Sequence, residues 1–152
     1  MYEFLHYQVR DAMTTDPITI HPGTRLREVE ELFEAHDFNG VPVVDPQQHL
    51  LGVLTKFDLL KAFCFDEQAM VPPYNEIMEQ TAATVMTRDP VCVSPQLPLS
   101  RLLQKLVEMR TKSLPVVDDD RLVGIIARED ILRALRRATA THELPARKEP
   151  RS

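Results

Sequence analysis

One pattern occurs twice in this chain, and that duplication narrows the possible folds more than any other feature. Met13-Thr14-Thr15-Asp16-Pro17 returns as Met86-Thr87-Arg88-Asp89-Pro90. Val41-Pro42-Val43-Val44-Asp45 returns as Leu114-Pro115-Val116-Val117-Asp118, and Gly52-Val53-Leu54-Thr55-Lys56-Phe57-Asp58 as Gly124-Ile125-Ile126-Ala127-Arg128-Glu129-Asp130. The interval is 73 residues for Met13 to Met86 and for Pro42 to Pro115, but 72 for Gly52 to Gly124. One residue has therefore been lost between the last two blocks. Tandem copies predict two similar subdomains with a pocket at or near the seam. Copies this short bury little apolar surface alone, so a shared core is expected.

Periodicity assigns the same elements to each copy. In the first, Ile18-Thr19-Ile20 reads as a short strand. Leu26, Val29 and Phe33 mark an amphipathic helix over 24–36, with Thr24 as its N-cap. Val41–Asp45 and Leu50–Leu54 form a hairpin around Pro46-Gln47-Gln48, and a helix from Thr55 buries Leu59, Leu60 and Phe63. In the second copy Val91–Val93, the stripe Leu99, Leu102, Leu103, Leu106 and Met109, the strands Leu114–Val117 and Leu122–Ile126, and a helix lined by Ile131, Leu132 and Leu135 follow in the same order. The predicted organisation is an N-terminal segment 1–8, repeat 1 over 9–65, a loop over 66–83 with a short helix capped by Asn75, repeat 2 over 84–140, and a disordered polar tail 141–152. Pro42 and Pro115 inside strands imply edge positions or bulges.

The fold class is thus α+β, two tandem β-α-β-β-α units related by a pseudo-two-fold axis. Both copies resemble the cystathionine-β-synthase (CBS) domain, which occurs in tandem pairs. The likeness covers about Val9 to Ala138. It is carried by the Met-Thr-x-Asp-Pro entry, the Pro-Val-Val-Asp strand and the Gly-x-x-(Thr/Ala)-x-x-Asp junction. The resemblance implies a non-catalytic regulatory module. Such a module binds an adenosine nucleotide (AMP, ADP or ATP) in a cleft between the repeats and signals occupancy to a partner. It also implies pairing of the helices into a homodimer. S-adenosylmethionine is a further ligand of the family, and a structural or interaction module with a vestigial cleft is the alternative.

Thr55-Lys56-Phe57-Asp58 has capping-box spacing, with Thr55 Oγ accepting from the Asp58 amide and the Asp58 carboxylate from the Thr55 amide. A helix N-terminus also suits a phosphate, and an acceptor-only carboxylate suits two ribose hydroxyls. By the resemblance, Thr55 and Asp58 take these roles, and Thr19, Gly40, Val41 and Pro42 line an adenine slot. The second copy departs: Ala127 replaces Thr55 and Cys92 replaces Thr19. A weaker second site is expected from Lys112, Leu114, Pro115, Arg128 and Asp130. Arg128, with Glu129, reads more readily as a solvated first turn.

The remaining composition excludes other classes. A net charge of −5 and a pI near 5.5 argue against nucleic-acid binding. Two cysteines, Cys64 and Cys92, form no framework, and the five histidines show no metal-ligand spacing. No apolar run suits a bilayer or a secretory signal, so a cytoplasmic protein without membrane contact is expected. With four glycines there is no glycine-rich phosphate cradle, and no catalytic motif appears. No metal and no required cofactor are expected.

Overall fold

The computed structural model describes residues 2–64 and 73–143. In chain order the elements are α1 (Tyr2–His6), α2 (Val9–Ala12), β1 (Thr14–Thr15), α3 (Leu26–Ala35), β2 (Gly40–Val44), β3 (Leu50–Thr55) and α4 (Lys56–Lys61). There follow α5 (Tyr74–Met78), α6 (Ala82–Val85), β4 (Thr87–Arg88), α7 (Leu99–Met109), β5 (Ser113–Asp118), β6 (Arg121–Ala127) and α8 (Arg128–Glu143). The expected loop over 66–72 and the tail beyond 143 lie outside the described residues. α8 itself runs three residues past the expected end of repeat 2, because no helix breaker intervenes before Pro145.

Two compact units result. The first-repeat unit holds the described residues of Ile18–Val91 with Asp119–Leu122; the second-repeat unit holds those of Met1–Pro17, Cys92–Asp118 and Val123–Ser152. The first-repeat unit has a sheet of order β2-β3-β4, the second-repeat unit one of order β1-β6-β5. The entry motif of each repeat therefore docks in the other repeat's unit. Thr87 pairs with Val53 and Arg88 with Gly52, while Thr14 pairs with Ile125 and Thr15 with Gly124. The preceding backbone is exchanged in the same way. Leu26 N donates to Gln80 O at 2.9 Å, and Leu99 N donates to Tyr7 O at 2.9 Å. The residues expected to open repeat 1 thus pack with repeat 2.

This exchange explains the recurring glycines. A Cβ on Gly52 would lie 2.6 Å from the Thr87 carbonyl oxygen, and one on Gly124 would lie 2.8 Å from that of Thr14. The docked strand leaves no room for a side chain. Asp16 and Asp89 follow it with φ of 51° and 50°, left-handed values that Asp tolerates better than most residues.

The core differs from the shared one expected. Buried apolar residues fall into two clusters. One is built on Leu26, Val29, Val41, Val43 and Leu54, the other on Leu99, Leu102, Leu106, Val116 and Ile126. Each is completed by helices that precede the other repeat. Ile77, Met78, Ala82 and Met86 join the first, and Phe4 and Val9 the second. The aromatic N-terminal segment therefore packs on its own chain, in the second-repeat unit.

Local details depart from the sequence reading for identifiable reasons. The strands expected at Ile18–Ile20 and Val91–Val93 are single parallel bridges, Ile20 to Val43 and Val93 to Val116. Ile20 N donates to Pro42 O at 3.0 Å and Val93 N to Pro115 O at 3.0 Å. The prolines have no N–H to extend the ladder, and β2 and β5 are edge strands as expected. Thr24 does not cap α3. Its hydroxyl accepts from His21 N at 3.1 Å inside the Pro22-Gly23 turn, and Arg25 is the N-cap. Pro73, not Asn75, precedes α5. Leu60 and Leu132 are exposed rather than buried, and so is Met109, while Ala134 and Ala138 turn inward.

The unequal spacing is resolved in the hairpins. Asp45 and His49 flank a turn of three residues where Asp118 and Arg121 flank one of two, so the extra residue lies in the first turn; separately, register steps from Val43–Gly52 to Val44–Leu50, which makes Leu51 a bulge. Asp119 and Asp120 both have positive φ between β5 and β6, as a two-residue type I′ turn requires. In the longer loop, Asp45 Oδ1 accepts from the amides of Gln47 and His49, both at 2.9 Å, and Oδ2 lies 2.9 Å from His49 Nδ1. Burial alone would raise its pKa, but the hydrogen bonds from His49 and Gln47 outweigh this and hold the carboxyl below its ordinary 3.8.

Two outcomes follow from these arrangements. Gly52→Ala is expected to lower stability by about 1–3 kcal/mol through overpacking against fixed backbone. Gly23→Ala, whose Cβ meets nothing closer than 4.0 Å, should be neutral or slightly stabilising; paired thermal melts decide. Because the Asp45 pKa is lowered in the folded state, its contribution is present above its unfolded value and is lost as pH falls through the folded one. The stability gap between the native chain and Asp45→Asn should be full near neutrality and close below pH 3.8; urea titrations from pH 7 to pH about 2.5 measure it.

Candidate functional site

The junction of β3 and α4 is built as its spacing indicates. Thr55 is the N-cap, its Oγ1 accepting from Asp58 N at 3.1 Å, and Asp58 Oδ2 accepts from Thr55 N at 2.9 Å. Two further groups reach the same carboxylate. The Thr87 hydroxyl lies 3.2 Å from Oδ1 and 3.3 Å from Oδ2, and Lys61 Nζ lies 3.2 Å from Oδ1. Asp58 is 2% exposed, so it is an ionisable group held in the protein, among the described residues, by three donors. A carboxylate accepts about four hydrogen bonds, which leaves capacity for one more, or for two if the half-exposed Lys61 swings away.

Gly40 pairs directly with Thr55 across the β2–β3 ladder, and Lys56 N donates to Asn39 O at 2.9 Å. The loop before β2 and the cap of α4 are thereby brought together. Val41 and Pro42 continue the same strand, but their side chains are fully buried and only their backbone is available. Thr19 is half-buried beside Ile20, on the β2 flank away from β3. α4 is only six residues long, so the dipole invoked for a phosphate is that of a turn and a half. The Thr55 hydroxyl proton and the exposed Lys56 are the remaining candidates for anion contact. Lys56 Nζ sits 5.8 Å from the centre of the Phe33 ring.

The second-repeat unit holds the matching constellation in reduced form. Asp130, 6% exposed, accepts from Ala127 N at 2.8 Å and from Arg133 Nη1 at 3.0 Å. The reciprocal bond, which the Asp130 amide would donate to a hydroxyl at residue 127, is absent because Ala127 has none. Among the described residues, no hydroxyl from β1 replaces Thr87 on this carboxylate. Arg128 is committed locally. Its amide donates to Lys112 O at 3.1 Å and its Nε to Thr111 O at 3.0 Å, so it ties the start of α8 to the entry of β5. Lys112 is exposed, whereas Leu114 and Pro115 are buried. Cys92 is exposed and free.

Sequence reasoning missed Thr87, Lys61 and Arg133. The last two lie three residues after their aspartates, a spacing that places ion pairs on one helix face. Thr87 belongs to the repeated entry motif, but nothing in that motif says where it docks. Among the described residues no group of three or more potential metal ligands occurs, and no helix is long and apolar enough to cross a membrane.

Comparison with known proteins adds to this geometry. A family model for the CBS domain matches residues 9–64 and again 82–137. The chain is 29% identical over 126 residues to L-aspartate semialdehyde sulfurtransferase of Methanocaldococcus jannaschii, covering 82% of this chain but 22% of that protein. The chain thus spans about a fifth of the length of that curated relative. Among solved structures it is similar to CBSX2 of Arabidopsis thaliana in complex with AMP, with a TM-score of 0.74, 28% identity and coverage of 88% of this chain and 98% of that one. It is also similar to the CBS domain pair of protein MJ0100 in complex with 5′-methylthioadenosine and S-adenosyl-L-methionine, with a TM-score of 0.68, 29% identity and coverage of 86% and 97%. Two family matches, a doubled sheet-and-helix plan and the paired Gly-to-Asp junctions converge: this chain belongs to the CBS domain family and carries two CBS domains in tandem.

Proposed function

We propose that this chain is a regulatory module that binds an adenosine nucleotide (AMP, ADP or ATP) at the Asp58 site and passes occupancy to a partner protein. The observation that carries the reading is the Asp58 carboxylate, buried and oriented by three donors beside Gly40 and Thr55, with acceptor capacity left over. AMP, 5′-methylthioadenosine and S-adenosylmethionine, the ligands of the two similar structures, share an adenosine with vicinal ribose hydroxyls. A fixed acceptor-only group suits that diol. Thr55 accepts from Asp58 N, and among the described residues its own hydroxyl proton has no acceptor, which leaves it able to donate to a phosphate oxygen. The Asp130 site is the weaker of the two, because it lacks that hydroxyl and its carboxylate is tied to Arg133. Regulation requires that nucleotide bind one state of the module better than another. A cytoplasmic homodimer is the proposed context.

A second reading has its own support. The Thr55–Asp58 box is internally satisfied, so a purely structural cap is chemically complete. S-adenosylmethionine, which has no phosphate, is the competing ligand within the binding reading.

A thermal-shift panel with AMP, ADP, ATP and S-adenosylmethionine separates these readings. A ligand at 100 times its dissociation constant adds about 2.7 kcal/mol to stability. An adenosine phosphate is expected to raise the melting midpoint. Asp58→Asn should abolish the rise and Asp130→Asn should leave most of it. A melt unmoved by every ligand supports the structural cap. A shift that depends on Asp130 but not on Asp58 overturns the site assignment.

A further inference from the structure

We infer that Thr87 is a positioning residue for ribose recognition at Asp58, supplied from outside the repeat that holds the site. This inference rests on the nucleotide reading above and adds a residue to it. Thr87 lies 29 positions from Asp58 in sequence, yet its hydroxyl is 3.2 Å and 3.3 Å from the two carboxylate oxygens. Three features bring it there. β4 pairs on β3 with Thr87 opposite Val53. The missing side chain at Gly52 lets the Thr87 backbone approach to within 2.6 Å of where a Cβ would stand. The cap on Thr55 turns the Asp58 side chain back toward β3. Asp58 is thus gripped from two sides, by its own helix start and by the docked strand.

A carboxylate bound only by its cap can still rotate about its last side-chain bond. A hydroxyl set between the two oxygens, its single proton given to one of them at a time, fixes the plane of the carboxylate and with it the direction of the remaining lone pairs. With the half-exposed Lys61 swung away, the two lone pairs left over would meet the 2′- and 3′-hydroxyls of a ribose. Thr14 is the counterpart of Thr87, yet among the described residues the partners of Asp130 are Ala127 N and Arg133. The grip is therefore particular to the first-repeat site and is not a consequence of the fold alone.

The test is calorimetric titration of the full chain with AMP and with 2′-deoxy-AMP. The wild type should prefer AMP. Thr87→Val, which keeps shape and removes the hydroxyl, should reduce that preference about fivefold, the worth of one hydrogen bond. Thr87→Ser should restore it, and in an Asp58→Asn background Thr87→Val should have no further effect on the ratio. Melting curves confirm that each variant is folded. A merely structural role would weaken both ligands equally and leave the ratio intact. An unchanged ratio, or tighter AMP binding by Thr87→Val, overturns the role of Thr87 while leaving the nucleotide reading in place. Failure of the wild type to bind AMP overturns both.

Discussion

The close approach of a docked strand to a glycine underlies most of this structure. Gly52 and Gly124 have no side chain because the Thr87 and Thr14 carbonyls occupy that space. Without those contacts each unit would be left with a two-stranded hairpin, marginal in water by itself, and a core lacking the apolar residues that precede the entry motif. With them, each hairpin gains a third strand and its core gains a lid of short helices: α5 and α6 in one unit, α1 and α2 in the other. Glycine, Met-Thr and Asp-Pro recur together because they are parts of one joint.

The two copies use this joint differently. In the first, the docked strand also carries a hydroxyl to the buried carboxylate at the helix start, so the joint and the candidate site share a residue. In the second, the carboxylate looks along its own helix to Arg133. Ala127 removes one cap bond, typically worth about 1 kcal/mol, and α8 compensates by length: 16 residues against six in α4. The second repeat thus has a longer, self-sufficient helix, whereas the first has a short one braced by neighbours.

What was legible in the sequence was local. The Thr55–Asp58 box spans three residues, the hairpin strands alternate or run apolar, and the α7 stripe repeats at helical spacing; these signals require only neighbours. The partnership of Thr87 and Asp58 requires knowledge of which strand docks where, and the repeat, being symmetric, is equally compatible with docking at home or away. Side-chain size misled at α8. Leu132 looks like a core residue and is exposed, while Ala134 and Ala138 lie inward, in the cluster that holds Phe4 of α1 and Val9 of α2. At α3, Thr24 has the chemistry of a cap but is already engaged by His21. The family resemblance singled out Thr55 and Asp58 as candidates; Thr87 and Lys61 around them came from the geometry.

The exchanged entry strands also dictate an order of assembly. The first-repeat sheet closes within one stretch of chain, Gly40 to Arg88. The second-repeat sheet joins Thr14 to Ile125, a loop of more than a hundred residues. Closing so long a loop has an entropic cost that must be met before the contacts reward it. On a ribosome, where synthesis runs from the N-terminus, Met13-Thr14 must wait for β6, so a strand made well before its partner is among the last to find its place.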